Sequence, residues 1–131
     1  MSILLDQLFT IEQDFTPDKA KQRTGLELLL QSPHGYPLVA EHQGKVVGMA
    51  TLQMVISTAE GGYAGLVEDV VVSESHRGEG IGQALMEHLT KWAVDKGLNR
   101  LQLLADQANR PALDFYHKQG WLTTGLIALR N

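Results

Sequence analysis

The chain has 131 residues, of which 44% are hydrophobic and 20% are charged, with 13 glycines, 4 prolines and no cysteine. This length and composition are typical of one compact globular domain, and they exclude disulfide, iron–sulfur and cysteine-based zinc chemistry. A formal charge of −4 argues against a nucleic acid as the main partner, because binding to a phosphate backbone needs a basic surface.

No segment approaches the roughly 20 apolar residues of a membrane-spanning helix. The N-terminus lacks the basic flank and long apolar region of a signal peptide. No low-complexity run or linker-like stretch divides the sequence. We therefore expect a cytoplasmic protein without a membrane partner, folded as a single domain over residues 1–131.

The first part of the chain is predicted to be helical and then to change to strands. Apolar residues at helical spacing predict a helix over residues 3–12. The run Thr16–Asp18, with a proline at the first helical position, predicts the start of a second helix that continues to about Leu30. The segment Pro37–Ser57, with a polar turn at His42–Lys45, is typical of an antiparallel β-hairpin.

The second half alternates strands and helices. The pattern predicts a strand over Ala64–Val72, a helix over Ile81–Lys96, a strand over Leu101–Ala105, a helix over Pro111–Gln119, and a last strand or pair of strands over Trp121–Leu129. A strand, a helix and a strand in this order form a βαβ crossover, so the first two of these strands should be parallel neighbours. The predicted fold class is α/β, a mixed sheet with helices on its faces.

A glycine-rich turn connects the valine-rich strand to the following helix. Gly78, Gly80 and Gly82 permit positive φ angles and leave no Cβ to keep a phosphate at a distance. Successive N–H groups at the start of a helix bind anions, so we expect a diphosphate site here. The glycine spacing matches neither a P-loop nor the dinucleotide fingerprint. The alternative is that the glycines only allow a tight strand-to-helix turn.

Two motifs in this half of the chain resemble those of the GNAT superfamily of acetyl-CoA-dependent N-acetyltransferases. The first is Arg-Gly-Glu-Gly-Ile-Gly at residues 77–82, which follows the three valines 70–72. The second is Asn-Arg-Pro-Ala-Leu-Asp-Phe-Tyr-His-Lys-Gln-Gly-Trp at residues 109–121. With the hairpin, the resemblance covers about residues 38–125. It implies a GNAT-like fold, a central mixed sheet flanked by helices, that is shortened at both ends.

The resemblance implies acetyl-CoA as a cosubstrate and no metal. The N–H groups of the glycine-rich turn would bind the diphosphate, and the pantetheine arm would pair with the exposed edge of the preceding strand. A main-chain N–H near Val70 would stabilise the oxyanion. Asn109 would bind the pantetheine, cap a helix, or do both. The coenzyme-binding residues are thus expected to be Val70, Val71, Val72, Arg77, Gly78, Glu79, Gly80, Ile81, Gly82 and Asn109.

The candidate catalytic residues are Glu68, Asp69 and Tyr116. A primary amine has a pKa of about 10.4 and must lose a proton before it attacks, and the two carboxylates end the strand before the loop. Alternation along a strand lets only one of them face the cleft, and it favours Glu68, on the same face as Val70 and Val72. The resemblance implies Tyr116 as the acid for the departing thiolate. The structural alternatives are solvated charges for the carboxylates and core packing for Tyr116.

The resemblance implies an N-acetyltransferase in which a primary amine, on a small molecule or a protein, directly attacks acetyl-CoA in a ternary complex. The alternative is a non-catalytic domain that binds coenzyme A or an acyl-CoA as a sensor. The five dispersed histidines predict no metal site. A sheet shortened at both ends leaves strand edges exposed, which predicts homodimerisation or strand exchange.

Overall fold

A computed structural model describes residues 19–131. In chain order the elements are α1 (Lys19–Gln31), β1 (Gly35–His42), β2 (Lys45–Ser57), β3 (Gly62–Val72), α2 (Ile81–Asp95), β4 (Leu101–Leu103) and α3 (Arg110–Lys118), with a 3-10 turn at Glu74–His76. The helix predicted over residues 3–12 and the helix start predicted at Thr16–Asp18 lie outside the described residues. Within residues 19–131, no helix is long and apolar enough to cross a bilayer.

The four strands form one mixed sheet in the order β1-β2-β3-β4. The pairs β1–β2 and β2–β3 are antiparallel, whereas β3 and β4 are parallel. The hairpin between β1 and β2 turns at Gln43 and Gly44, which both have positive φ angles, as two-residue hairpin loops require. The predicted hairpin and the predicted parallel neighbours are therefore confirmed.

The hydrophobic core lies between the sheet and α2. Its fully buried members are apolar residues of β2, β3 and α2: Ala50, Leu52, Val67, Leu85, Met86, Leu89 and Ala93. The helix comes close to the sheet at Gly48, where a Cβ would lie 3.1 Å from Ile81 Cγ2. Trp92 of α2 stacks on Tyr36 of β1, with ring centroids 4.3 Å apart and nearly parallel planes. Trp92 is thus a packing residue, as its place in the apolar stripe of the helix predicts.

The strand or pair of strands predicted over Trp121–Leu129 does not form, and β4 ends at Leu103 rather than at Ala105. Among the described residues, none pairs with the segment after α3 as a strand neighbour. A strand needs such a neighbour for its main-chain hydrogen bonds, so a segment rich in apolar residues does not form one by itself. The apolar side chains that suggested the strand are exposed instead: Leu122, Leu126, Ile127 and Leu129.

Candidate functional site

The sheet opens between β3 and β4. The two strands are paired only from Gly65 opposite Leu101 to Val67 opposite Leu103, although β3 continues for five more residues to Val72. Beyond this short ladder a cavity of about 140 Å³ lies between β3, the start of the glycine-rich turn and α3. Its lining consists of Val70, Val71, Val72, Arg77, Leu104, Ala105, Asp106, Asn109, Ala112 and Tyr116.

The cavity brings together six of the predicted site residues from three separate parts of the chain: Val70, Val71, Val72, Arg77, Asn109 and Tyr116. It does not include Glu68, Asp69 or the glycines of the turn. Four further residues line the cavity and were not predicted from the sequence: Leu104, Ala105, Asp106 and Ala112. The first three could have been found, because they directly follow a strand parallel to β3, and the carboxyl ends of neighbouring parallel strands meet at one edge of a sheet.

The main chain of β3 faces this opening at alternate residues. The N–H of Ser73 donates to the Val47 carbonyl at 2.7 Å, which fixes the side of the strand that faces β2. Because main-chain groups alternate in direction along a regular strand, those of Val72 point the other way, toward the opening. The Val72 carbonyl accepts a 3.2 Å hydrogen bond from Arg77 Nε, and Arg77 lines the cavity. The Arg77 side chain therefore holds the turn against the end of β3.

A β-bulge interrupts the pairing of β2 with β3. Met49 pairs with Val71, and Thr51 pairs with Glu68. Asp69 and Val70 of β3 therefore both lie opposite Ala50, the single residue between Met49 and Thr51 on β2. Asp69 has a φ of +55°, which is uncommon for a residue with a side chain. The simple alternation used to choose between the two carboxylates does not hold across such a bulge.

Both carboxyl groups lie on the same face of the sheet. The Glu68 side chain shares a face with its cross-strand partner Thr51. The Thr51 hydroxyl also lies 3.2 Å from Asp69 Oδ2, which places that carboxyl on the Thr51 face too. Val70 contacts the core on the opposite face, together with Val67. The expectation that Glu68 shares a face with Val70 is therefore wrong, because the extra residue of the bulge reverses the alternation.

The two carboxyl groups have different surroundings. Glu68 is exposed, whereas Asp69 is half-buried. Burial is the larger cause and the negative charge of Glu68 the smaller cause that together raise the pKa of Asp69 to about 6, while the hydrogen bond from Thr51 acts in the opposite direction. Asp69 therefore changes its protonation state close to neutral pH, where a general base is most effective.

Two of the three glycines in the turn adopt the predicted backbone. Gly78 has a φ of +79° and Gly80 a φ of +83°, and a Cβ at either position would meet no atom within 4 Å. Gly82 differs, because it lies inside α2 and does not have a positive φ. A Cβ on Gly82 would lie 3.2 Å from Cζ of Phe115. The lack of a side chain at Gly82 therefore allows α2 to pack against α3, which corrects the positive φ expected there.

The turn presents a run of main-chain donors. The N–H groups of residues 78–83 make no hydrogen bond to any acceptor within residues 19–131, and the first N–H of α2 that does so belongs to Ala84. The Arg77 N–H differs, since it is 3.5 Å from the Glu74 carbonyl inside the 3-10 turn. The Glu79 carboxylate lies 3.3 Å from His76 Nδ1, which partly offsets its negative charge when the imidazole is protonated. Unbonded donors at the start of a 15-residue helix suit an anion.

The opposite wall of the cavity is formed by α3. Asn109 is the N-cap of this helix, and its Oδ1 accepts a 3.3 Å hydrogen bond from the Ala112 N–H, so the predicted cap is confirmed. Two turns further on, the half-buried Tyr116 also lines the cavity, with its ring edge-on to Phe115. Among residues 19–131, no three His, Asp or Glu side chains lie close enough together to bind a metal ion.

Comparison with known proteins identifies a family and several relatives. The model of the acetyltransferase (GNAT) family matches residues 5–121. A putative ribosomal protein bS18-alanine N-acetyltransferase of Bacillus subtilis is 26% identical over 123 residues, 93% of this chain and 77% of that protein. A glucosamine 6-phosphate N-acetyltransferase of Trypanosoma brucei brucei is 38% identical over 79 residues, 60% of this chain and 52% of that protein.

The fold also matches solved structures over the whole chain. A transcriptional regulator from Bacillus halodurans superposes with a TM-score of 0.86 at 21% identity, covering 100% of this chain and 89% of that one. Identity this low shows a shared fold and not a shared role. The chain spans about half or less of the length of the curated relatives that match it at 37–38% identity.

Proposed function

The chain belongs to the acetyltransferase (GNAT) family, and from this membership we propose that it is an N-acetyltransferase that transfers the acetyl group of acetyl-CoA to a primary amine. The observation that carries the proposal is the opening between β3 and β4, which has unbonded main-chain donors at one end and Tyr116 in its opposite wall.

The residues around this opening fit coenzyme A. The N–H groups of residues 78–83 would bind the diphosphate, with the dipole of α2 adding positive potential. The open edge of β3 at Val70 and Val72 would pair with the amide-bearing pantetheine arm, as an added strand would. Asn109 lines the cavity and would contact the same arm through its Nδ2, since its Oδ1 caps α3. Bound acetyl-CoA would supply an activated acyl thioester.

Asp69 is the residue that we propose as the general base. An ammonium group with a pKa of about 10.4 must lose a proton before it can attack, which costs about 4.6 kcal/mol at neutral pH. With its pKa raised to about 6, Asp69 is ionised at neutral pH and has a higher proton affinity than an ordinary aspartate. Glu68 lies on the same face and is exposed, so it would attract the cationic acceptor and pass protons to solvent.

Tyr116 is proposed as the acid for the departing thiolate. It lies in the wall of the cavity that faces the open edge of β3. A thiolate with a conjugate pKa of about 8.5 leaves more easily when it receives a proton in the transition state. On the β3 side, a main-chain N–H near Val70 would stabilise negative charge on the thioester oxygen.

The acceptor is proposed at the level of its chemistry, an amine on a small molecule or a protein. The relatives named above include an enzyme for glucosamine 6-phosphate and one for an alanine of a ribosomal protein, so the family match alone does not select between these classes. Exposed apolar side chains in residues 121–131 support a homodimer, as does the outer edge of β4, with which no other strand of residues 19–131 pairs. Light scattering would test it.

The proposed function is tested by calorimetry with acetyl-CoA, followed by an amine panel in which the released thiol is detected. We expect saturable binding of acetyl-CoA and thiol release with at least one amine class. Binding without transfer to any amine in the panel would favour the alternative of a coenzyme A sensor. No heat of binding with acetyl-CoA would contradict both.

A further inference from the structure

Thr51 is a buried polar residue of β2. It lies on β2 between Ala50 and Leu52, which belong to the core, and its own exposure is only 1%. A buried hydroxyl needs hydrogen-bond partners, because an unsatisfied one costs stability. Thr51 finds both of its partners in the bulge of β3, the Glu68 carbonyl at 3.0 Å and Asp69 Oδ2 at 3.2 Å.

This pair of contacts suits both protonation states of Asp69. A hydroxyl carries one proton and can accept as well as donate. When Asp69 is ionised, the Thr51 hydroxyl donates to either the carboxylate or the Glu68 carbonyl. When Asp69 is protonated, its carboxyl O–H donates to Thr51 Oγ1, and Thr51 donates to the Glu68 carbonyl. The hydroxyl therefore stays satisfied while the carboxyl takes up and releases a proton.

The same contacts hold an unusual backbone. Asp69 has a φ of +55°, and left-handed geometry at a residue with a side chain persists only when its surroundings fix it. The bond from Thr51 to the Glu68 carbonyl fixes the peptide just before Asp69, and the contact with Oδ2 fixes the side chain itself. One hydroxyl thus ties the carboxyl to the strand that supports it.

We propose that Thr51 is a positioning residue of the acetyl-transfer site, one that holds the Asp69 carboxyl in place through the bulge and tunes its affinity for a proton. This inference rests on the proposed function only in that Asp69 is taken as the base. The link between Thr51 and Asp69 is a property of the protein without substrate and is measured without it.

Within residues 19–131, the charge that shifts the pKa of Asp69 is that of the adjacent Glu68. On the β2 side the bulge meets Ala50 and Thr51, and neither ionises. Pairing with β4 ends before the bulge, at Val67. The charge that acts on Asp69 comes from Glu68 of its own strand and raises the pKa of Asp69, whereas the Thr51 hydrogen bond lowers it. Removing the hydroxyl should therefore raise the pKa of Asp69 above about 6.

The test compares Thr51→Val, which keeps the shape and removes the hydroxyl, with Thr51→Ser, which keeps the hydroxyl. Carbon NMR of labelled aspartate side chains, with Asp69→Asn to assign the signal, follows the titration of Asp69 in the free protein. We expect Thr51→Val to raise the pKa of Asp69 by about one unit, a tenfold change in proton affinity, and Thr51→Ser to restore it. Thermal unfolding checks that both variants are folded.

The pH profile of kcat/KM gives the second measurement. Its acidic limb should shift upward in Thr51→Val and return in Thr51→Ser, whereas a merely structural role would lower the whole profile without moving the limb. An unchanged Asp69 titration in folded Thr51→Val would overturn the inference even if the wild type is fully active. A shifted titration in a protein that transfers no acetyl group would support the link and contradict the proposed function.

Discussion

Strand β3 has two edges that are used in opposite ways. Toward β2 it is paired from Gly62 to Val72, with one bulge, and the buried Thr51 hydroxyl ties the bulge in place. Toward β4 it is paired for only three residues, and beside the cavity no other strand of residues 19–131 pairs with this edge. The firmly paired edge keeps the strand extended, so the other edge can present main-chain groups without a neighbour of its own. The edge of β3 toward β2 thus supports the strand, and the edge toward β4 is the proposed binding edge.

Replacing Tyr116 with phenylalanine should give the largest effect, because it removes the proposed acid from the wall that faces the open edge. General acids contribute about 100-fold or more, so we expect kcat to fall by at least about 100-fold while acetyl-CoA affinity is unchanged. Steady-state kinetics and calorimetry measure the two quantities. Tyr63→Phe, at the far end of β3, serves as the control and should behave like the wild type. Unchanged kcat in Tyr116→Phe would remove its catalytic role.

Replacing Asp69 with asparagine tests the strained position on the paired edge. The folded-state pKa of Asp69 is about 6 and its ordinary value is 3.8, so the fold favours the neutral carboxyl. This preference stabilises the folded state fully below about pH 4, and the stabilisation is lost as the pH rises through 6. A rise of two pKa units corresponds to about 3 kcal/mol of folding free energy. Asparagine does not ionise and accepts left-handed φ angles, so the Asp69→Asn variant avoids this loss.

We therefore expect urea unfolding to show that Asp69→Asn gains stability over the wild type between pH 4 and pH 7.5. The gain in the free energy of unfolding at pH 7.5 should approach about 3 kcal/mol, although transfer activity falls. A stability difference that is the same at both pH values would show that Asp69 titrates normally.

Adding a methyl group at Gly65 tests the short ladder between β3 and β4. A Cβ there would lie 2.5 Å from Leu101 Cδ2 and 3.2 Å from Leu98 Cδ1, so both side chains must move. We expect Gly65→Ala to lower the free energy of unfolding by about 1–3 kcal/mol. The matched control is Gly62→Ala, in the same strand, where a Cβ meets nothing within 4 Å. Equal stability of the two variants would mean that the ladder tolerates the added volume.

Replacing Gly80 with alanine tests the turn beyond the open edge. Left-handed geometry costs alanine about 1–2 kcal/mol, and relief of that strain would redirect the N–H groups of the turn. We expect acetyl-CoA affinity to fall roughly tenfold, measured by calorimetry. Gly97→Ala carries the same backbone strain at the other end of α2, with a φ of +74°, and should lower stability without changing affinity. Equal affinities in both variants would contradict a role for the turn in binding.

Much of the fold follows from local patterns in the sequence. Hydrophobic periodicity predicts the hairpin and α2, and Asn109 and Gly120 mark the two ends of α3 as observed. The bulge was not predictable, because one extra residue leaves no mark in the pattern of apolar side chains. It depends on the long-range contact of Thr51 with the Glu68 carbonyl. The extra residue of the bulge decides which face of the sheet the Glu68 and Asp69 carboxyl groups occupy.

The end of the chain shows a second limit of sequence analysis. The segment Trp121–Leu129 is rich in apolar residues and is predicted as a strand, but strand formation depends on a pairing partner. Similarly, the three glycines of the turn look equivalent in the sequence. Only the packing of Phe115 against Gly82 shows that one of them serves helix contact rather than anion binding.

The two tryptophans of the chain occupy different surroundings, and this gives the protein a built-in optical reporter. Trp92 is stacked on Tyr36 within the core, whereas the Trp121 ring is 6.3 Å from that of Tyr116 in the cavity wall. Emission from the second indole should respond when a molecule enters beside Tyr116, while the first provides a steady background. A Trp92→Phe variant would leave a single tryptophan, so that coenzyme titrations could be followed through its emission without any attached dye.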